Sequence, residues 1–313
     1  DFRYTEQAAE QVKDFRIEQH KGTIFEEVAK QVALMGAKTI AFEKDAMHYG
    51  TYEVYKAAVK ADFVPLSGVI EKIRLIKSQE EINIIKVACE IADNAFTHIL
   101  NFIKPGITEL DVSNELEFFM RKQGATSSSF DIIVASGLRS ALPHGVATDN
   151  IIEKGDFVTL DFGAYYNGYI SDITRTVAVG QPSEKLVEMY NAVLESQLLA
   201  LEKVGPGMTG AQADAVARDY LKSKGLGEAF GHSLGHGIGL QVHESPYVSK
   251  KGDLVLEKGM IFSIEPGIYI ENLGGTQTFA DCGKNIDQMA YNSANYYSDK
   301  TVAENNARAD KLM

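Results

Sequence analysis

Asp161 and Asp172 flank an Asn-Gly pair in the stretch VTLDFGAYYNGYISDITRTV. Asn167-Gly168 favours a two-residue type I′ turn joining antiparallel strands. Counting outward from that turn pairs Tyr166 with Tyr169, Gly163 with Asp172 and Asp161 with Thr174. The two aspartates then share a face as diagonal neighbours, about 7–8 Å apart at the backbone. Their strand otherwise reads Phe157, Val158, Leu160, Phe162, an apolar setting in which two anions repel unless a cation or a proton intervenes. A hard or borderline metal ion meets that need. The alternative is that one aspartate caps a turn and Arg175 pairs with the other.

Three histidines, His232, His236 and His243, fall within FGHSLGHGIGLQVHE. His232 and His236 have the spacing of a helical zinc site, but Gly231, Gly235, Gly237 and Gly239 would each cost a helix about 1 kcal/mol relative to alanine. The segment is expected to be a loop or a twisted strand. Its glycines permit close backbone approach to a ligand, and imidazoles there can bind metal or shuttle protons. His144, in Leu-Pro-His-Gly, carries a weaker signal and also fits a turn residue. The strand phrase itself is written twice, as IEKGDFVTLDFGAYY and LEKGMIFSIEPGIYI, with Asp161 and Glu265 in the same slot. Each half is therefore expected to supply a carboxylate strand to one shared site, Asp161 with Asp172 from the first, Glu265 from the second, and His236 from the loop before it.

The elements that must position these groups also come in duplicate. Pro105-Gly-Ile-Thr108 opens a helix that closes at Gly124, and Pro206-Gly-Met-Thr209 opens one that closes at Gly225. Thr108 and Thr209 are N-cap residues by type, and the glycines suit the left-handed position after a helix. A long helix precedes each, from Ser78 in one case, where Ser78 and Glu81 form a capping box, and from Ser183 in the other. Helix, helix and strand hairpin, written twice, predict an α+β fold of two pseudo-symmetric halves with curved sheets, backing helices and a cleft where the halves meet. Residues 1–75 alternate helical and short apolar runs, as in a small α/β domain, and carry no His or carboxylate cluster. That domain is expected to be incomplete, followed by a catalytic domain over 76–285 and a polar tail over 286–313.

A formal charge of −12 disfavours nucleic acid and anionic membranes as partners, since both need a positive footprint. Cys89 and Cys282 are the only cysteines, too few for a disulfide framework or a thiolate metal site, which points to free thiols, a reducing compartment and the cytoplasm. No apolar run approaches the roughly 20 residues of a membrane span.

LDFGAYYNGYISDITRT, GHSLGHGIGLQVHE and FSIEPGIYI together resemble the creatinase and prolidase type of metallopeptidase, nearest the bacterial Xaa-Pro aminopeptidases and dipeptidases, whose catalytic domain has the pita-bread fold. The resemblance implies metal ligation by Asp161, Asp172, His236 and Glu265, with Asp172 bridging two ions. It implies that His144, His232 and His243 line the substrate pocket and assist proton transfer, and that Glu265 also orients or deprotonates the attacking water. The implied cofactor is a divalent metal, Mn2+ first, with Zn2+ or Co2+ as alternates. The implied substrate is a proline-containing peptide, and the implied assembly a homodimer.

One departure stands out. Relatives of this type close the second hairpin with a pattern like Gly-Gly-Val-Arg-Ile-Glu-Asp, whose Glu is the fifth ligand. This chain reads Gly274-Gly-Thr-Gln-Thr-Phe-Ala-Asp281, which puts Phe279, or Ala280 with one insertion, in place of that Glu. The expected activity is hydrolysis of Xaa-Pro bonds, impaired by the lost carboxylate. The alternative from another class is an inactive pita-bread protein that binds peptides or partners. A methionine aminopeptidase fits poorly because of the N-terminal domain, and a creatine hydrolase because the metal carboxylates are retained.

Overall fold

Helix starts in this chain are written in side-chain caps. The computed structural model describes residues 2–277, and Thr23, Ser78, Thr108 and Thr209 each accept from the third helical N–H while Glu26, Glu81, Asp111 and Gln212 return the bond. Each reciprocal pair satisfies two backbone donors that the first turn would otherwise leave unpaired. The sequence expectations for Phe279, Ala280, Asp281, Cys282 and the 286–313 tail lie outside the described residues.

The chain divides between Lys72 and Ile73 into two compact units. The first carries helices α1 (Thr5–Gln11), α2 (Ile24–Met35) and α3 (Tyr49–Ala58), strands β1 (Thr39–Glu43) and β2 (Asp62–Leu66), and the start of α4 (Val69–Leu75). β1 and β2 pair in parallel from Thr39–Asp62 to Glu43–Leu66, with α3 as the crossover. Aromatic packing holds the layer, with Phe42 at 5.0 Å from Tyr52 and Phe25 edge-on to Tyr55 at 4.8 Å, contacts worth about 0.5–1.5 kcal/mol each beyond burial.

The second unit is built as two halves. The first half contains α5 (Gln79–Ile99), α6 (Glu109–Lys122), β3 (Ser127–Ser128), β4 (Ile133–Ser136), β5 (Phe157–Phe162), β6 (Ala164–Tyr166), β7 (Tyr169–Ile170) and β8 (Ile173–Ala178). The second contains α7 (Glu184–Lys203), α8 (Gly210–Ser223), β9 (Gly235–Gly237), β10 (Glu244–Val248), β11 (Gly267–Ile270) and β12 (Gly274–Gln277). Their backbone bonding repeats. Gly106 N–H to Ile152 O, Ile152 N–H to Ile107 O and Glu109 N–H to Asn150 O in the first half recur as Gly207 to Leu256, Leu256 to Met208 and Gly210 to Leu254 in the second. The duplication legible in the sequence is thus a duplication of the hydrogen bonds that dock the start of each second helix against the loop segment at 150–152 or 254–256.

Each half has its own apolar core. Ile99, Leu116, Met120, Leu160 and Phe162 belong to one, and Val193, Leu221, Phe230, Leu234 and Phe262 to the other. A smaller cluster, Ile85 and Cys89 of α5 with Ile238 and Ile261, joins the first half's leading helix to the second half's histidine segment. Burial of such side chains stabilises by about 1.5–3 kcal/mol each, so the site strands rest on packed supports.

Candidate metal centre

The antiparallel register of β5 and β8 opposes Asp161 to Thr174, and that of β6 and β7 opposes Tyr166 to Tyr169. Asn167 takes a left-handed φ of 46° and Gly168 one of 87°, the positive values a type I′ turn needs at both central residues. Asp172 lies just before β8 and is 4% exposed. The second half brings its groups in by another short pairing. Ser263 N–H donates to His236 O at 2.8 Å, His236 N–H to Ser263 Oγ at 2.8 Å, and Glu265 N–H to Leu234 O at 2.8 Å. This approach requires glycine at 235, where a Cβ would stand 2.0 Å from the Ser263 carbonyl oxygen.

His236 links the halves. Its Nδ1 lies 3.1 Å from Gly237 O, which leaves Nε2 facing Glu265 Oε1 at 3.0 Å and Asp172 Oδ2 at 3.6 Å. Glu265 is further served by Ser263 Oγ on Oε1 at 2.8 Å and by Gln277 Nε2 on Oε2 at 2.9 Å. Tyr269 OH donates in turn to Gln277 Oε1 at 2.7 Å. Asp161 differs, because its Oδ1 is buried with no hydrogen-bond partner.

The electrostatics reflect these contacts. Burial, then the charges of Asp172 and Glu265, hold the Asp161 carboxyl well above the ordinary aspartate range. Burial also acts against ionised Glu265, but the hydrogen bond and charge of His236 outweigh it and keep that carboxyl below its usual value. For His236, burial opposes the charged form, yet Glu265 and Asp172 push its pKa up to about 9. Without a cation, a proton on His236 therefore offsets part of the crowded negative charge.

The remaining histidines surround this cluster. His232 Nδ1 bonds Ser233 O at 2.8 Å, its ring lies 5.5 Å from Tyr269, and its Nε2 is buried without a partner. His243 stands with its ring 4.3 Å from that of His236. Burial lowers the pKa of both His232 and His243, and His144, on an exposed turn, is near enough for its charge to add to the lowering. The structure thus brings Asp172, His236, Glu265 and His243 together, with Asp161 and His232 within electrostatic reach and His144 acting on the cluster's histidines only through its charge.

Sequence reasoning missed the residues that hold the histidine loops. Glu109 is fully buried and accepts from Ser136 N–H at 2.8 Å, Thr148 N–H at 3.1 Å and Arg139 Nε at 3.0 Å, while Arg139 also reaches Val146 O at 2.9 Å. This fastens the loop carrying His144. In the second half Asp214 accepts from Leu234 N–H at 2.9 Å and from Arg218 Nε at 2.6 Å, and Arg218 donates to Phe230 O at 2.9 Å and His232 O at 2.7 Å. Glu109 follows the N-cap Thr108, and Asp214 and Arg218 have the i, i+4 spacing of a helix pair, but neither pattern tells a buried carboxylate from a surface one.

Three carboxylates, an outward Nε2 and an orphaned buried carboxylate oxygen suit a hard or borderline cation in kind. Among the described residues no three His, Cys, Asp or Glu side chains stand at the spacing of a filled metal shell; His236 Nε2 is instead engaged by Glu265. By donor type, Asp161, Asp172, His236 and Glu265 are the residues that could hold a divalent ion.

Comparison with known proteins adds a second line. A model described as metallopeptidase family M24 matches residues 83–283, and one described as the creatinase/prolidase N-terminal domain matches residues 1–76. A Bacillus subtilis protein named "Uncharacterized peptidase YqhT" is 58% identical over 278 residues, covering 88% of this chain and 79% of its own length. The structure of an Xaa-Pro dipeptidase from Bacillus anthracis matches with a TM-score of 0.88 at 60% identity, covering 90% of this chain and 79% of that one. The structure of an X-Pro aminopeptidase from Thermotoga maritima matches with a TM-score of 0.86 at 42% identity, over 90% of this chain and 80% of that one.

Proposed function

The chain belongs to metallopeptidase family M24, and from that premise we propose that it hydrolyses the Xaa-Pro bond of dipeptides or of peptide N-termini at the Asp161, Asp172, His236, Glu265 cluster. It is an enzyme of the Xaa-Pro peptidase type, and its catalytic unit has the pita-bread fold. The observation that carries the proposal is the partnerless buried Oδ1 of Asp161 beside Asp172 and His236. Such an oxygen costs about 1–3 kcal/mol when left unsatisfied, a cost a bound cation removes.

The chemistry a divalent ion supplies at such a site is polarisation of a carbonyl and a lowered pKa for water. This chain's own residues do the rest. Glu265, kept ionised by His236, Ser263 and Gln277, is placed to orient water and accept its proton. His243 is neutral near physiological pH because burial and His236 depress its pKa, so one ring nitrogen can donate to a developing oxyanion while the other accepts. His232 is held from both sides, by its own Nδ1 bond and by Arg218 on its carbonyl, and offers Nε2 to the substrate side. His144 lines the open face. A peptide bond before proline is a tertiary amide with no N–H, and a pocket dedicated to the ring fits it.

Manganese is the proposed ion, with zinc or cobalt as alternates, and a cytoplasmic homodimer the proposed form. Among the described residues no helix is long and apolar enough to cross a membrane. Metal analysis of the purified chain by mass spectrometry, run beside hydrolysis of Gly-Pro and Ala-Pro-Ala, tests the reading. Activity that needs added divalent ion and disappears in Asp161→Ala is expected; turnover undiminished by chelation would overturn it.

A second reading, an impaired or purely binding protein, is favoured by the sequence Thr276-Gln-Thr-Phe-Ala280. Rewriting 276–280 as Val-Arg-Ile-Glu-Asp should raise both activity and metal content. Equal values in the two chains would show that the lost carboxylate does not matter.

A further inference from the structure

The histidine loops at 144 and at 232 are each fastened by a buried carboxylate with an arginine. The loop bearing His243 is held by a similar device that reaches in from outside the site. We infer that Lys77 and Arg74 clamp Glu244 so as to position His243 for peptide hydrolysis. The inference rests on the reading of His243 as a substrate-facing group.

Glu244 follows His243 in the chain and opens β10. Its Oε1 takes Lys77 Nζ at 2.8 Å, with only 2% of the Lys77 side chain exposed. Its Oε2 takes Arg74 Nη2 and, at 3.2 Å, the backbone N–H of Gln241. Arg74 also donates to the Gln241 side chain at 3.2 Å. Residues 241 and 244 are thereby fixed on either side of His243. The loop's other end is tied by Ile170 N–H to Gly239 O at 3.0 Å. A Cβ at 239 would lie 2.7 Å from Glu244 Oε1 and 3.0 Å from Lys77 Cε, so a side chain there would push against the ion pair.

The clamp is itself referenced to the site. Lys77 N–H bonds Gly259 O at 2.9 Å, and four residues on, Glu81 accepts from Tyr169 OH at 2.9 Å in the hairpin that precedes Asp172. Buried ion pairs are poor devices for stability, since apolar replacements of like volume are often neutral or better. What this one supplies is placement. The His243 ring meets that of His236 edge-on at 4.3 Å, but the residue is otherwise exposed, so its position is inherited from the loop.

A double-mutant cycle between Lys77→Met and His243→Ala on an Xaa-Pro peptide tests this, with hydrogen exchange over residues 238–248 measured in the same proteins. Lys77→Met should lower kcat by about tenfold to a hundredfold, the scale of a displaced group, with KM moved much less. It should cost nothing further in the His243→Ala background, and Lys77→Arg should restore most of the loss. Exchange across the loop should quicken in Lys77→Met and not in Lys77→Arg. Equal losses in both backgrounds would mean a merely structural role, and unchanged exchange would mean that the clamp does not hold the loop; either overturns the inference. If Lys77→Met does not fold, Glu244→Gln enters the same cycle with the same expectations. Should the unaltered chain hydrolyse no Xaa-Pro peptide, the reading of its function fails, and the exchange arm still decides whether the clamp holds the loop.

Discussion

Binding a divalent ion to the metal-free protein should expel protons, and their number can be worked from the cluster. His236 is pushed up to about 9 by Glu265 and Asp172, so near pH 7.5 its Nε2 carries a proton that must leave before the nitrogen can bind. Removing it about 1.5 units below its pKa costs about 2 kcal/mol. Asp161 is also held well above its ordinary value by burial and by Asp172 and Glu265, so any proton release by it adds to that of His236. The apparent affinity should therefore rise about tenfold per pH unit, or more steeply, until pH approaches about 9. Isothermal titration with Mn2+ in buffers of different ionisation enthalpy measures the count: one proton from His236 plus the Asp161 share, falling by one in His236→Ala. A count of zero, or the same count in both proteins, would refute the reasoning. Stability of the metal-free chain obeys the same linkage. The folded pKa of His236 exceeds the ordinary histidine value of 6.5, so its pair with Glu265 stabilises fully below about pH 6.5 and is lost as pH rises through about 9. The metal-free melting temperature should fall over that window.

Asp161→Asn should stabilise the metal-free protein by about 0.5–2 kcal/mol, the usual gain from relieving a strained functional site, while abolishing metal-dependent hydrolysis. Urea unfolding in chelator decides it, and a lower midpoint would mean that the carboxylate is already satisfied. Glu109→Ala removes the acceptor for Ser136 N–H, Thr148 N–H and Arg139 and should cost about 3–5 kcal/mol in thermal unfolding. A loss under about 1 kcal/mol would mean that water takes its place.

Local period and turn chemistry account for the features that were legible in the sequence. Asn167-Gly168 fixed the register of the first hairpin, and with it the common face of Asp161 and Asp172. Glycines at 235 and 237 argued correctly against a helix, and His236 lies on the short strand β9. The clamps were not legible because each depends on partners far along the chain. Lys77 and Glu244 are charged residues of types that usually face water, and no local pattern brings them together. Asp214 and Arg218 have the spacing of an exposed helix pair, yet the Asp214 side chain is 1% exposed and serves the backbone of the His232 loop. Glu109 sits in a turn whose cap is written plainly, but the cap says nothing about which face of that turn is covered.

The two halves share a backbone plan and diverge in what their hairpins return. The first returns with Asp172, a second carboxylate beside Asp161, and leaves Asp161 Oδ1 with no donor. The second returns with Gln277, whose amide donates to Glu265 Oε2 and is itself oriented by Tyr269. Glu265 is thus held below its ordinary pKa by neighbours already in place, whereas burial and the charges of Asp172 and Glu265 hold Asp161 above its own. A cation entering the cluster gains most where charge is least compensated. On the proposed function, the attraction for metal is concentrated on the first half, at Asp161 and Asp172, and the proposed base, Glu265, stands on the second with its hydrogen bonds already made. A duplicated scaffold that fastens a loop on each side with a buried carboxylate and an arginine, and returns different residues in its two hairpins, would separate those two tasks without needing two different folds.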